Sequence, residues 1–140
     1  MSKEKILALD CSTKRTGWAF FDENNELHFG AISCSDSSPE KRISIMKDKI
    51  LEIVKNEQIT HIVMEDVIPG GKTNAHTTKL LTWLQGNIVV KIFEFNKNIT
   101  FDFLVPTQWR SVLKLQHPGV KRDAQKLMDI NFANTEYNLK

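Results

Sequence analysis

Long apolar runs are absent from this chain: even residues 86–95, its most apolar segment, fall well short of the roughly 18 to 20 residues that a membrane-crossing helix needs. No membrane partner is expected. Cysteine is scarce, with only Cys11 and Cys34, which is too few for a disulfide framework, and no basic-then-apolar leader opens Met1-Ser2-Lys3-Glu4-Lys5. Free thiols in a cytoplasmic protein are the expectation. An excess of one charge is lacking too: 19 Lys and Arg oppose 17 Asp and Glu, and a net charge of +2 neither demands nor excludes a polyanionic partner. The distribution says more. Between residues 108 and 126, Arg110, Lys114, Lys121, Arg122 and Lys126 face Asp123 alone, a local basic stretch of the kind that meets nucleic acid. No repeat, low-complexity tract or linker interrupts the 140 residues, so a single domain spanning 1–140 is expected, with no room for a second catalytic lobe.

What is present is an α/β pattern. Ile6-Leu7-Ala8-Leu9 reads as a strand ending in Asp10, and Trp18-Ala19-Phe20-Phe21 and residues 27–33 read as two more, joined by short turns into an antiparallel meander. Ser38-Pro39-Glu40 supplies a helix cap, a proline at the first helical position and an early acid. Ile43, Met46, Ile50, Ile53 and Val54 then recur at helical spacing up to about Asn56. Residues 59–67 form a fourth strand, most easily parallel to one already in the sheet because a helix leads to it. A long helix over 74–93, a fifth strand over 101–105, a turn at Pro106-Thr107-Gln108-Trp109 and a last helix over 121–133 complete the order βββαβαβα. Trp18 and Trp109 sit in apolar segments and are expected in the core; His61 and His76, at element starts, suit surface or capping roles better than metal binding. Apolar residues surround so much of the 74–93 helix that one buried stripe does not account for them, which predicts a second, partner-facing stripe in a two-fold homodimer. Leu81, Leu84 and Ile88 are placed at that interface, with Gly86 allowing close approach.

Gly70-Gly71-Lys72-Thr73 invites a nucleotide-binding reading, but a P-loop needs a glycine five positions before Gly71, and Asp66 stands there. No nucleotide partner is expected. The informative residues are Asp10 and Glu65, carboxylates that end two apolar strands expected to be parallel neighbours. Ionised carboxylates are costly to bury unless they are paired or bind metal. Side by side at the carboxyl edge of a sheet, where open α/β folds place their sites, they invite a hard divalent cation. Alternatively, Asp10 caps the turn through Ser12 or Thr13 and Glu65 meets water.

Ile6-Leu7-Ala8-Leu9-Asp10-Cys11-Ser12-Thr13 with Thr16-Gly17-Trp18-Ala19, then Ile62-Val63-Met64-Glu65, Val105-Pro106-Thr107-Gln108-Trp109-Arg110 and Lys121-Arg122-Asp123-Ala124-Gln125-Lys126, resemble in order the segments of the RuvC family of Holliday-junction resolving endonucleases, its phage branch above all. The resemblance implies an RNase H-like mixed five-stranded sheet flanked by helices. It also implies a homodimeric crossover junction endodeoxyribonuclease that resolves four-way and other branched DNA by paired nicks, in host-cell cytoplasm if phage-borne. Asp10 and Glu65 match the family's first two catalytic, metal-binding carboxylates, for Mg²⁺ with Mn²⁺ as a substitute and two ions with substrate bound. Lys121 and Arg122 match its basic position beside the scissile phosphate. Ile68 stands where bacterial members carry an aromatic wedge, Gly70, Gly71 and Lys72 are placed to hold a DNA phosphate, and Arg110 and Lys114 to contact the backbone. The family's final helix, with a run resembling Asp-Asp-x-x-Asp-Ala, has no counterpart before Lys140. The expectation is therefore a C-terminally truncated nuclease domain; the alternative is a catalytically incomplete dimer that binds branched DNA without cutting.

Overall fold

The computed structural model describes residues 4–67 and 74–105. Ile68, Gly70, Gly71, Lys72, Arg110, Lys114, Lys121, Arg122 and the helix expected over 121–133 lie outside the described residues. By internal contact the chain divides into two compact units, Met1–Leu104 and Val105–Lys140, and the sheet and both described helices belong to the first.

Alternation of apolar and small or polar residues creates the first strand, β1 (Ile6–Asp10), in which Leu7 and Leu9 are buried while Ile6, Ala8 and Asp10 are exposed. It pairs antiparallel with β2 (Arg15–Phe21), and β2 with β3 (Leu27–Ser33), which is the expected meander. The turn between β2 and β3 is closed by Asp22, whose Oδ1 accepts from the backbone N–H groups of Asn24 at 2.8 Å and Glu26 at 3.0 Å. Asn25 takes φ 60° in that turn, a left-handed conformation that asparagine tolerates.

The first helix, α1 (Pro39–Asn56), starts as its sequence dictates: Ser38 Oγ accepts from Lys41 N–H, Pro39 occupies the first turn and Glu40 favours the positive helix end. It delivers the chain to β4 (His61–Glu65), which lies parallel to β1. Asn74 caps the second helix, α2 (Ala75–Phe95), by accepting from Thr77 N–H at 2.8 Å, and the following β5 (Thr100–Leu104) runs parallel to β4. The strand order is β3-β2-β1-β4-β5, a mixed five-stranded α/β sheet. Both helices contribute to one core: Leu7, Leu9, Phe20, Ile32, Ile62 and Met64 of the sheet meet Met46, Ile50 and Val54 of α1 and Leu84, Ile88 and Ile92 of α2. The alternate residues look to the other face, where Ile6, Phe21 and Phe29 stay 41–58% exposed.

Two of the three residues expected at a dimer interface are corrected. Leu84 and Ile88 are both 0% exposed within the chain's own core, so no partner helix can reach them, and Leu81 is half-buried. The outward stripe of α2 consists of Trp83, Gly86, Val90 and Phe93, at alternating spacings of three and four. A Cβ built at Gly86 meets nothing within 4 Å. The half-buried Trp18 packs against the core, in keeping with its expected role, and stacks on Phe20 at 5.8 Å.

Trp18 also makes one glycine obligatory. Gly30 lies opposite it on β3, and a Cβ there would sit 2.7 Å from Trp18 Cζ2. Because the indole is held by Phe20 and the core, Gly30→Ala is expected to cost about 1 to 3 kcal/mol as overpacking. Thermal unfolding monitored by tryptophan fluorescence checks this, and an unchanged Tm would show that the indole moves freely.

Candidate metal centre

The register of two parallel strands decides where the acids go. Leu9 pairs with Met64 across β1 and β4, so Asp10 and Glu65 follow as the next residues on neighbouring strands, about 4.8 Å apart in the pairing direction. Period-two alternation puts both on the face turned away from the helices, and both are exposed. On the other flank, Asp10 pairs with Gly17, where a Cβ would make only ordinary contact, at 3.8 Å from Asp10 Cβ. The structure thus brings together the two sequence-identified carboxylates at the carboxyl edge of the sheet.

Cys11 reports on that convergence. Burial, first of all, pushes its thiol from 9.0 up to about 12; the Asp10 carboxylate adds to the rise, a hydrogen bond from the Gln85 side chain opposes it, and Glu65 adds again. Both acids therefore act on one thiol. Without a bound metal the Cys11 thiol remains protonated at neutral pH. Two carboxylates open to solvent fit a hard divalent cation such as Mg²⁺ or Mn²⁺.

The turn after β1 is held by buried threonines. Thr16, 0% exposed, donates through Oγ1 to Ser12 O at 2.8 Å and accepts from Ser12 N–H at 3.2 Å. Thr13 Oγ1 accepts from Arg42 Nε at 3.2 Å, and Arg42 Nη1 donates to Asp36 O at 2.9 Å, so a buried guanidinium on α1 supports the turn from below. None of these bonds uses the Asp10 carboxylate, against the alternative in which it serves as a turn cap. Lys14, in the turn, and Arg15, which opens β2, are exposed to solvent. Among the described residues, no ion pair includes Asp10, Lys14 or Arg15.

A second group of metal-ligating types, Asp22, Glu26 and His28, lies at the opposite end of the sheet. Its Asp22 carboxylate is already occupied, by the turn N–H groups at Oδ1 and by His28 Nε2 at Oδ2, 2.7 Å away; the His28 bond and then the Glu26 N–H hold its carboxyl below the usual carboxylate range. The His28 ring in turn stacks on Phe20 at 5.0 Å. That cluster builds a turn. His61 is also structural, bridging Thr100 and Asp102 on β5, and His76 is exposed at the start of α2.

Solved structures share this architecture. The chain superposes on Thermus thermophilus RuvC in complex with Holliday junction substrate at a TM-score of 0.71, with 13% identity, over 99% of this chain and 81% of that one. The fold is RuvC-like. A second Thermus thermophilus RuvC structure gives 0.67 at 15% identity over 97% and 81% of the two chains. The yeast mitochondrial Holliday junction resolvase Ydc2 gives 0.55 at 16% identity over 81% and 57%. No protein-family model matches the sequence, and no curated protein matches it. No helix among the described residues is long and apolar enough to cross a membrane.

Three contributors to the RuvC-like edge escape sequence reasoning. Lys14 and Arg15 read as turn residues, and only their place at the same end of the sheet as Asp10 marks them. Gln85 gave one usable signal, a polar residue in the stripe Leu84, Ile88, Ile92 that enters the core. Its Nε2 donates to Glu65 O at 2.7 Å.

The raised Cys11 value has a sign that can be checked. An acid whose folded pKa exceeds its unfolded one stabilises the fold fully below the unfolded value and loses that contribution as pH rises from 9.0 through about 12. At pH 8 the folded thiolate population is about three orders of magnitude below that of the denatured chain, so iodoacetamide should label Cys11 correspondingly more slowly in the native protein. Peptide mass spectrometry measures it; labelling at the denatured rate would contradict the raised thiol pKa.

Proposed function

We propose that this chain is a divalent-metal-dependent endonuclease that resolves four-way and related branched DNA, a phage-type Holliday-junction resolvase acting as a homodimer. The observation that carries the reading is the placement of Asp10 and Glu65 at consecutive register on the central parallel strands of a RuvC-like sheet. A superposed neighbour, the Thermus thermophilus RuvC, is a complex with Holliday junction substrate, which supports the substrate class.

Asp10 and Glu65 would hold the cation, Mg²⁺ by preference, which supplies charge stabilisation at a phosphate and a lowered pKa for water. The protein's own part is to keep both carboxylates close, with solvent access for a phosphate on the open face. Lys14 and Arg15, at the same end of the sheet, neutralise phosphates as they arrive and hold the backbone in register without reading sequence. Lys121 and Arg122 steady the scissile phosphate, while Ile68, Gly70, Gly71, Lys72, Arg110 and Lys114 extend the DNA contact. The two-fold axis brings two such edges to one two-fold-symmetric junction through the Trp83, Gly86, Val90 and Phe93 stripe. A competing reading is junction binding without cutting.

Nicking of a synthetic four-way junction in Mg²⁺ tests the reading. Asp10→Asn and Glu65→Gln should each reduce the rate by about a hundredfold or more while junction binding persists. Binding without nicking by the unaltered chain would favour the competing reading, and nicking retained by Asp10→Asn would remove the site. Lys14→Glu and Arg15→Glu should weaken junction binding and each lower the log–log salt slope by about one. For the dimer, sedimentation should give monomers for Val90→Glu or Phe93→Glu with folding intact, whereas Leu84→Glu should unfold the chain; a dimer that survives both exposed-face changes lies elsewhere.

A further inference from the structure

Between β1 and β4 the paired ladder ends at Leu9 and Met64, one residue short of the carboxylates. A side chain from α2 continues the connection. Gln85 is only 8% exposed and stands between Leu84 and Ile88 on the helix face that enters the core. A buried amide in such surroundings is costly unless hydrogen-bonded. This one is bonded to the strand that carries the second acid: its Nε2 donates to the backbone oxygen of Glu65 at 2.7 Å. The amide thus ties the end of β4 to α2.

We infer that Gln85 is a positioning residue for the metal centre, fixing the end of β4 so that Glu65 keeps its place beside Asp10. This inference rests on the reading of Asp10 and Glu65 as metal ligands. Gln85 touches neither carboxylate oxygens nor substrate; it acts through the Glu65 backbone, as partners of ligating residues do in metal sites generally. An apolar residue of similar length fills the same volume but leaves the Glu65 carbonyl without this donor.

Mn²⁺ binding to the DNA-free chain, read by the electron paramagnetic resonance signal of free Mn²⁺, separates positioning from stability. Wild type, Asp10→Asn, Gln85→Leu, Gln85→Met and Ile92→Val are compared at a temperature where circular dichroism shows each to be folded. Ile92→Val perturbs the same core stripe without touching the strand ends. Both Gln85 variants should bind Mn²⁺ about tenfold more weakly or worse, and Ile92→Val should bind as wild type. If Asp10→Asn loses the ion while both Gln85 variants keep wild-type affinity, the positioning role is overturned and the metal site stands. If Ile92→Val weakens binding as much as the Gln85 variants do, the effect is general loosening and the inference fails. If wild type and Asp10→Asn bind alike, the metal-site reading falls and the inference with it. Gln85→Met, which preserves length while removing the amide, serves should Gln85→Leu not fold.

Discussion

Everything at the candidate site depends on the parallel pairing of β1 with β4. Leu7, Leu9, Ile62 and Met64 are 0–4% exposed, and each pairs or neighbours another across the two strands. Burying such side chains contributes about 1.5 to 3 kcal/mol each, which fixes the face that looks into the core. A slip of one residue would turn that set outward and drive Asp10 or Glu65 inward, where an ionised carboxylate without partners is far more costly than a lost methylene. The apolar core and the acids therefore enforce the same register from opposite sides. Stability and the convergence of the two carboxylates are one constraint.

The two ends of the sheet use charge differently. At the amino end, Lys5 Nζ lies 3.3 Å from Glu23 and 3.5 Å from Glu57 and sits over the Phe20 ring, and Asp22 is bonded to its own turn and to His28. Charges there neutralise one another and hold turns together. At the carboxyl end, the exposed Asp10, Lys14 and Arg15 enter no ion pair among the described residues. Exposed charges of both signs at one end of the sheet suit a cation and a polyanion together. Buried groups maintain it: Arg42 and Thr13 support the turn and Gln85 anchors the end of β4.

Much of this was legible in the sequence because local signals agreed with the fold. Ser38-Pro39-Glu40 announces α1, alternation in Ile6–Asp10 announces β1, and an acid ending an apolar strand stands out against its neighbours. The facing of α2 was not legible. With apolar residues around most of its circumference, pattern alone does not separate the buried Leu84 and Ile88 from the exposed Trp83, Val90 and Phe93; only the position of α1 and the sheet does. Gln85 was missed because its one signal, a polar residue within an apolar stripe, does not say what the amide bonds, and its meaning comes from the end of β4 that it reaches. Lys14 and Arg15 were missed because exposed basic residues at a turn carry no local signature of a site.

The claim on which the rest stands is that the carboxyl edge, not the Asp22, Glu26 and His28 turn at the other end, takes the divalent ion. Amide resonances of the ¹⁵N-labelled chain titrated with Mn²⁺ test it most directly, because paramagnetic broadening falls steeply with distance from the ion. Broadening should centre on Asp10, Cys11 and Glu65 and spread to Gln85, sparing residues 22–28. Broadening centred on residues 22–28, or none that Asp10→Asn removes, would contradict the account.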